Sequence, residues 1–225
     1  MEITFISDTH WIIQNPMDRQ DLTDLLPGGP ILVHAGDVSG RGTRAEIVKF
    51  LEWFSELPYT HKVLIAGNHD FFFETASAEE IQELLAEYPG ITYLNDSGVT
   101  IEGIKFWGSP ITPFFHDWAF NRWPAGIKPH WDLIPEEVDV LITHGPPFGI
   151  LDLTTYSKEN VGCPILREKI FSIKPKVHVF GHIHEARGSV EIDGIKFINA
   201  SSVTLRYELR YDDPPKVNIE PNLIS

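Results

Sequence analysis

Asp8 and His10, Asp37, Asn68 with His69 and Asp70, His144, and His182 with His184 are residues of types that can ligate metals or move protons. Asp8-Thr9-His10 and His182-Ile183-His184 each place one residue between two ligand types, and in an extended segment that spacing turns both side chains to the same side. Two ligands of one cation need this arrangement, as do neighbours across a pair of cations. Singly, a Gly-Asp after a strand is an ordinary turn and a histidine near a strand end is an ordinary packed imidazole. Here five groups recur in series: Asp8-Thr9-His10, Gly36-Asp37, Gly67-Asn68-His69-Asp70, His144-Gly145 and Gly181-His182-Ile183-His184.

Each group directly follows an apolar run, at residues 3–7, 31–35, 63–66, 138–143 and 177–180. These runs are too uniformly apolar for half-exposed strands and read as strands of a covered sheet. Ligands of open α/β sheets bind outside the carboxyl ends of the strands, so the five groups are expected to converge on one edge of the core. Between the strands lie helical patterns. Thr43 and Glu46 form a capping box ahead of Ile47, Phe50, Leu51, Phe54 and Leu57, and Ser77 with Glu80 opens a second helix with Ile81, Leu84, Leu85 and Tyr88 facing inward.

From residue 90 the texture changes to short strand candidates at 91–94, 99–101 and 104–108, joined by Asp96-Ser97-Gly98 and Glu102-Gly103, which predicts an antiparallel meander. A helix around 165–173, a hairpin at Asp193-Gly194 and a strand at 195–199 extend a second sheet. Residues 109–132 hold four Pro and the aromatics Phe114, Phe115, Trp118, Phe120, Trp123 and Trp131, and are expected to form an ordered loop that either packs on a sheet edge or caps a substrate. Asp212-Asp213-Pro214-Pro215 reads as a turn before an edge strand and a loose C-terminus. His34 and His178 fall inside strands and read as core, whereas His61 and His130 read as exposed.

The 225 residues are 42% hydrophobic, enough for one sizeable core, and the absence of any linker predicts a single domain over 1–225. A formal net charge of −14 repels nucleic acid and anionic lipid, so any phosphate chemistry needs a local positive centre. One cysteine, Cys163, forms no internal disulfide, and an acidic second residue is unlike a secretory leader; a reducing cytoplasm is the expected compartment. No apolar run approaches the ~20 residues of a membrane span.

The motif series resembles the calcineurin-like metallophosphoesterases. The segments Leu32-Val33-His34-Ala35-Gly36-Asp37, Gly108-Ser109-Pro110, Trp118-Ala119-Phe120-Asn121, Thr143-His144-Gly145-Pro146-Pro147 and Val179-Phe180-Gly181-His182-Ile183-His184-Glu185 are similar to the metallophosphoesterase-domain-containing branch. The resemblance implies an α/β fold, a four-layer α-β-β-α sandwich of two mixed sheets flanked by helices, with a dinuclear metal site. It assigns Asp8, His10, Asp37 and His184 to one metal, and Asp37, Asn68, His144 and His182 to the other. His69 would approach the leaving-group oxygen and Asp70 would orient it.

Two departures separate the sequence from protein Ser/Thr phosphatases: Gly36-Asp37-Val38-Ser39-Gly40 lacks their second Asp, and Phe71 rather than Arg follows Asp70. Arg41, His116 and Trp118 are candidate substrate contacts. Imidazole, carboxylate and amide ligands without thiolate suit two divalent ions drawn from Mn, Fe, Zn, Co or Ni, with Mn expected to serve in vitro. Such a pair, bound by two carboxylates and bridged by hydroxide, keeps a charge of about +1 to attract a phosphodiester. The expected activity is hydrolysis of cyclic nucleotides or other small phosphodiesters, with neither membrane nor long nucleic acid as partner. An interaction scaffold of the same fold, a nuclease and a phosphomonoesterase are the alternatives.

Overall fold

A computed structural model describes residues 1–220. The chain opens with strand β1 (Glu2–Ile6), a 3-10 turn (His10–Gln14) and helix α1 (Pro16–Asp24), and continues through β2 (Gly29–Ala35), α2 (Arg44–Glu56), β3 (Tyr59–Ile65), α3 (Phe71–Thr75), α4 (Ala78–Ala86) and β4 (Ile91–Tyr93). Then follow β5 (Ser97–Ile101), β6 (Ile104–Ser109), β7 (Thr112–Pro113), β8 (Asn121–Arg122), α5 (Pro124–Asp132), β9 (Val140–Thr143), α6 (Pro164–Ile173), β10 (Val177–Phe180), β11 (Gly188–Ile192), β12 (Ile195–Asn199) and β13 (Lys216–Asn218).

Two mixed sheets result, ordered β13-β1-β2-β3-β4 and β11-β12-β10-β9-β6-β5. In the first, β1 to β4 run parallel and β13 joins the edge antiparallel, as the Pro-Pro turn before it predicts. Side-chain alternation builds the layers. Ile31, Val33 and Ala35 of β2 meet Val140, Ile142, Val177 and Val179 between the sheets. Leu32 and Leu64 face the other way, into the cluster that holds Ile47, Phe50 and Phe54 of α2, and Leu141 and Phe197 share the outer core with α5 and α6. These are the four layers expected from the resemblance. A parallel bridge between Ser7 and Ser201 joins the two sheets at the carboxyl ends of their strands.

The capping box of Thr43 and Glu46 is present in full, and Ser77 caps α4. Three expectations are corrected. The strand at 91–94 is not the first leg of a meander: β4 pairs parallel with β3, because Leu94 hydrogen-bonds Leu64 through its N–H (2.8 Å) and is buried between the sheets. Only β5 and β6 form the hairpin, turning at Glu102 (φ 51°) and Gly103 (φ 78°), and β6 then runs parallel to β9.

The segment 109–132 is not one loop, since its last nine residues are helix α5. Pro124 sits in the first turn, where a missing N–H is no loss. An interior proline such as Pro129 opposes a helix by about 3 kcal/mol, and burial of Ile127 and Trp131, roughly 1.5–3 kcal/mol each, offsets it. The third correction is His130, which is partly buried and paired with Asp96 at 2.6 Å instead of standing free in solvent. The extreme C-terminal residues, expected to be loose, lie outside the described residues from 221 onward.

Candidate metal centre

Five strand ends deliver the five motif groups to one place. Asp8 and His10 follow β1, Asp37 follows β2, Asn68 and His69 follow β3, His144 follows β9, and His182 and His184 follow β10. Potential ligand atoms of Asp8, His10 and His184 lie within 4.8 Å of one another, as do those of His10, Asp37 and His69, and those of Asp37, His144 and His182. Asp37 and His10 each belong to two of these groups.

The backbone is bent to bring this about. Asp8 (φ 55°), His10 (φ 39°), Asp37 (φ 57°) and His182 (φ 68°) all occupy the left-handed region, where side-chain-bearing residues are held only by their surroundings. Those surroundings are visible. Asp8 donates its N–H to Gly36 O (2.9 Å), His10 to Asp37 O (3.1 Å) and His69 to Asp37 Oδ1 (2.8 Å). The Asp8 carboxylate accepts from the His182 N–H (3.0 Å) and the Ser201 hydroxyl (2.7 Å). Gly67 and Gly181 are required by close approach, since a Cβ at either position would collide with Asp37 Oδ1 or Asp8 Oδ2 respectively.

The tautomers follow from the partners. Nδ1 of His10 faces Ser39 O (3.2 Å), that of His144 faces Ala35 O (2.9 Å), and that of His184 faces Thr204 O (3.2 Å). A carbonyl only accepts, so each Nδ1 carries a proton, and each ring in its neutral form turns an Nε2 lone pair inward. His10 Nε2 lies 3.3 Å from His184 Nε2 and 3.6 Å from Asp37 Oδ2, and His184 Nε2 lies 3.5 Å from Asp8 Oδ1. His144 Nε2 sits 3.2 Å from Asp37 Oδ2 and 2.8 Å from Asn68 Oδ1. Lone pairs and buried carboxylates aimed at each other repel unless a positive charge stands between them, so this donor set fits divalent cations.

Ionisation in the ion-free protein agrees with that fit. Burial alone would raise the carboxyls of Asp8 and Asp37, but hydrogen bonding and charge from His184, and charge from His144, His69 and His10, hold both well below the usual carboxylate range. Burial pushes His10 down to about 4 and, with help from the charge of His144, His182 to about 3, so both rings are neutral ligands near neutrality. Burial works against a charged His144 as well, yet Asp37 and Asp8 outweigh it and raise that imidazole to about 9. A cation would replace this proton.

The hydrogen bonds of the Asp70 carboxylate do not go to the His69 ring. Its carboxylate accepts from the N–H of Val38 (3.1 Å), Ser39 (3.0 Å) and Gly67 (2.8 Å) and from the Ser39 hydroxyl (2.6 Å), which staples the Asp37 loop to the Asn68 loop. His69 instead gives its Nδ1–H to Gly40 O at 2.9 Å. The carbonyl of a residue without a side chain thus does the orienting expected of an aspartate.

A cleft of about 220 Å³ opens onto the centre, lined by Asp37, Asn68, His69, Phe115, Trp118, His182, His184, Leu205 and Tyr207. Trp118 is therefore placed at the site, whereas Arg41 and His116, both exposed, are not among the lining residues. Tyr207 and Trp11 went unnoticed in the sequence. The Tyr207 ring lies edge-on to His10 (5.0 Å), His184 (5.4 Å) and Trp11 (4.9 Å), and no spacing rule announces it because its loop is irregular. Ser201 had a signal: Ala200-Ser201-Ser202 directly follows the strand Ile195–Asn199, as the other groups follow theirs.

Larger surface grooves, such as one of about 490 Å³ beside α1 and α2, hold no cluster of ligating geometry among the described residues. Nor is any helix there long and apolar enough to cross a membrane.

Comparison with known proteins gives a consistent picture. The family described as Calcineurin-like phosphoesterase matches residues 1–186. Metallophosphoesterase domain-containing protein 1 of Homo sapiens is 38% identical over 225 residues, which cover 90% of this chain and 66% of that protein. UPF0046 protein K07C11.7 of Caenorhabditis elegans is 33% identical, over 89% of this chain and 69% of its own length. The chain thus spans just under two thirds of its human relative. Among solved structures, the Phosphopantetheinyl Hydrolase (PptH) from Mycobacterium tuberculosis superposes with a TM-score of 0.62 at 16% identity, covering 91% of this chain and 90% of that one. TT1561 of Thermus thermophilus gives 0.63 at 14% identity, covering 93% and 96%. At such identities the likeness concerns the fold.

Proposed function

The chain belongs to the calcineurin-like phosphoesterase family, and from that premise we propose that it is a metal-dependent phosphodiesterase acting on small phosphodiesters, cyclic nucleotides among them. The observation that carries this reading is the set of three imidazoles whose Nδ1–H groups are tied to backbone carbonyls while their Nε2 atoms face two buried carboxylates. In this reading Asp8, His10, Asp37 and His184 hold one cation, and Asp37, Asn68, His144 and His182 the other. Two divalent ions so held would neutralise phosphate oxygens and supply hydroxide at neutral pH.

The remaining work falls to the protein's own groups. His69, held through Nδ1 by Gly40 O, keeps Nε2 as the nitrogen that exchanges a proton with a leaving oxygen. Ser201 and the His182 N–H fix the Asp8 carboxylate, and Asp70 fixes the loop that carries Asp37. A small cleft and a formal charge of −14 favour a small substrate over a polymer. Buried, unpaired Cys163 suits a reducing cytoplasm.

The test is metal analysis of the purified protein after loading with Mn, Fe, Zn, Co or Ni, followed by assay of 2′,3′- and 3′,5′-cyclic nucleotides, aryl diesters and phosphomonoesters. Two ions per chain with turnover of diesters is the expected result. An inert, ion-free protein after manganese treatment ends the reading. Two ions without hydrolysis of any ester would favour the scaffold, and salt-sensitive preference for long strands would favour a nuclease.

A further inference from the structure

We infer that Trp118 is a positioning residue for His69, not a platform on which the substrate stacks. The inference rests on the phosphodiesterase reading and assigns a task to one wall of that same cleft. The Trp118 ring is already committed: its centroid lies 4.2 Å from that of His69 at an interplanar angle of 30°, and 6.1 Å from Phe71 at 35°. His69 is thereby fixed on three sides, by Gly40 O on Nδ1 (2.9 Å), by the face of Trp118, and by the edge of His10 (4.6 Å, 81°). The ring contacts matter because a single hydrogen bond would leave the imidazole free to swing about it.

The segment that carries Trp118 is tied to the same turn. Ala119 donates its N–H to Asn68 O (3.0 Å), so the tryptophan and the histidine it covers hang from adjoining backbone. The loop is closed on itself by Asn121, whose side-chain amide donates to Phe115 O and His116 O, both at 2.9 Å, and by Thr112 N–H to Phe120 O (3.1 Å). Ala119 and Phe120 are buried. A residue meant to yield to a variable substrate gains nothing from such anchoring, whereas one that holds a proton donor in place requires it.

The chemistry served is proton delivery. Hydroxide adds to phosphorus, the bond from phosphorus to the leaving oxygen breaks, and its electron pair passes to that oxygen. The proton on His69 Nε2 moves to the same oxygen, leaving an alcohol and a neutral ring that still holds its Nδ1–H on Gly40. Strongly basic alkoxide leaving groups need that proton, and nitrophenolate does not, so the two report separately on the aim of His69.

The experiment compares two phosphodiesters that differ only in the leaving group, p-nitrophenyl or simple alkyl, with wild type, Trp118→Ala, Trp118→Phe, His69→Ala and the double variant. His69→Ala should lose roughly 10²–10⁴ in kcat on the alkyl ester and far less on the nitrophenyl ester. Trp118→Ala should show the same asymmetry at about 10–100-fold, in kcat rather than KM, with Trp118→Phe restoring most of it. In the His69→Ala background the Trp118 substitution should add nothing. Independently of turnover, the His69 ring protons should show an upfield ring-current shift in NMR spectra that disappears in Trp118→Ala.

A Trp118→Ala effect that is equal on both esters, that persists without His69, or that appears only in KM for aromatic substrates overturns the assignment, as does absence of the ring-current shift. A wild-type protein inert toward every ester overturns the phosphodiesterase reading instead, and the NMR comparison still decides whether Trp118 holds His69.

Discussion

The strand-end loops and the aromatic wall face each other across one cleft and are built on opposite plans. In the loops the imidazoles are held by backbone carbonyls, and the rings of His10 and His144 are fully buried. The wall, formed by residues 112–122 and the loop around Tyr207, is made of rings packed on rings, with Phe115 at 60% and Tyr207 at 40% exposure. On the proposed reading, the difference divides the labour: the loops would hold the cations, and the wall would aim and cover the groups beside them.

Asp37→Ala is the most direct way to break that comparison, since it removes the carboxylate shared by two of the clusters. Complete loss of bound metal and of turnover together is expected, read by metal analysis and assay of one preparation. Retention of two ions per chain would show that the loops are not the holding element. Asp70→Asn comes next. Its carboxylate oxygens each accept two hydrogen bonds, and an amide nitrogen in place of either would strand two donors. We expect a loss of about 2–4 kcal/mol in unfolding free energy and of ~10–100-fold in metal affinity, from urea titration and calorimetry.

Tyr207→Ala sharpens the comparison from the other side. It removes an edge contact to two ligand rings, with a stability loss of about 0.5–1.5 kcal/mol, and the metal stoichiometry should stay at the wild-type value.

A further test concerns the core behind the loops and is read on stability alone. His34 and His178 are fully buried, and burial pushes both imidazoles down to about 3. His34 accepts from Gly36 N–H through Nδ1 (3.2 Å) and donates to Thr9 Oγ1 (3.0 Å), while Nδ1 of His178 has no partner among the described residues. Because the folded values lie below the ordinary 6.5, the unfolded chain takes up protons first. Stability is therefore full above pH 6.5 and is lost as the pH falls toward 3, by about 1.4 kcal/mol per pH unit for each histidine. Urea midpoints of ion-free protein between pH 6.5 and 4 check this, and His178→Leu should flatten the slope.

The two plans also explain what could be read from the sequence. The convergence of the five motif groups was legible because a buried strand ends abruptly and the sheet places its carboxyl end; the apolar runs announced both. The assignment of β4 to the first sheet was not, because three residues of strand pattern fit a meander as well as a parallel edge. Helix α5 was hidden by Pro129, and its decisive term, burial of Trp131, depends on partners far away in the chain. The Asp70 staple was invisible for a related reason: three of its four hydrogen bonds come from the Asp37 loop, some thirty residues earlier, and no spacing rule distinguishes a carboxylate that orients a ring from one that joins backbones. Tyr207 and Trp11 had no periodic context at all.

The four left-handed residues carry a consequence for how this protein can be improved. Asp8, His10, Asp37 and His182 sit where a glycine backbone would rest more comfortably. Glycine at Asp8 or Asp37 would relax the backbone but strand the buried N–H and hydroxyl groups those carboxylates now accept from, so the side chains that define the centre also hold its bent backbone in place.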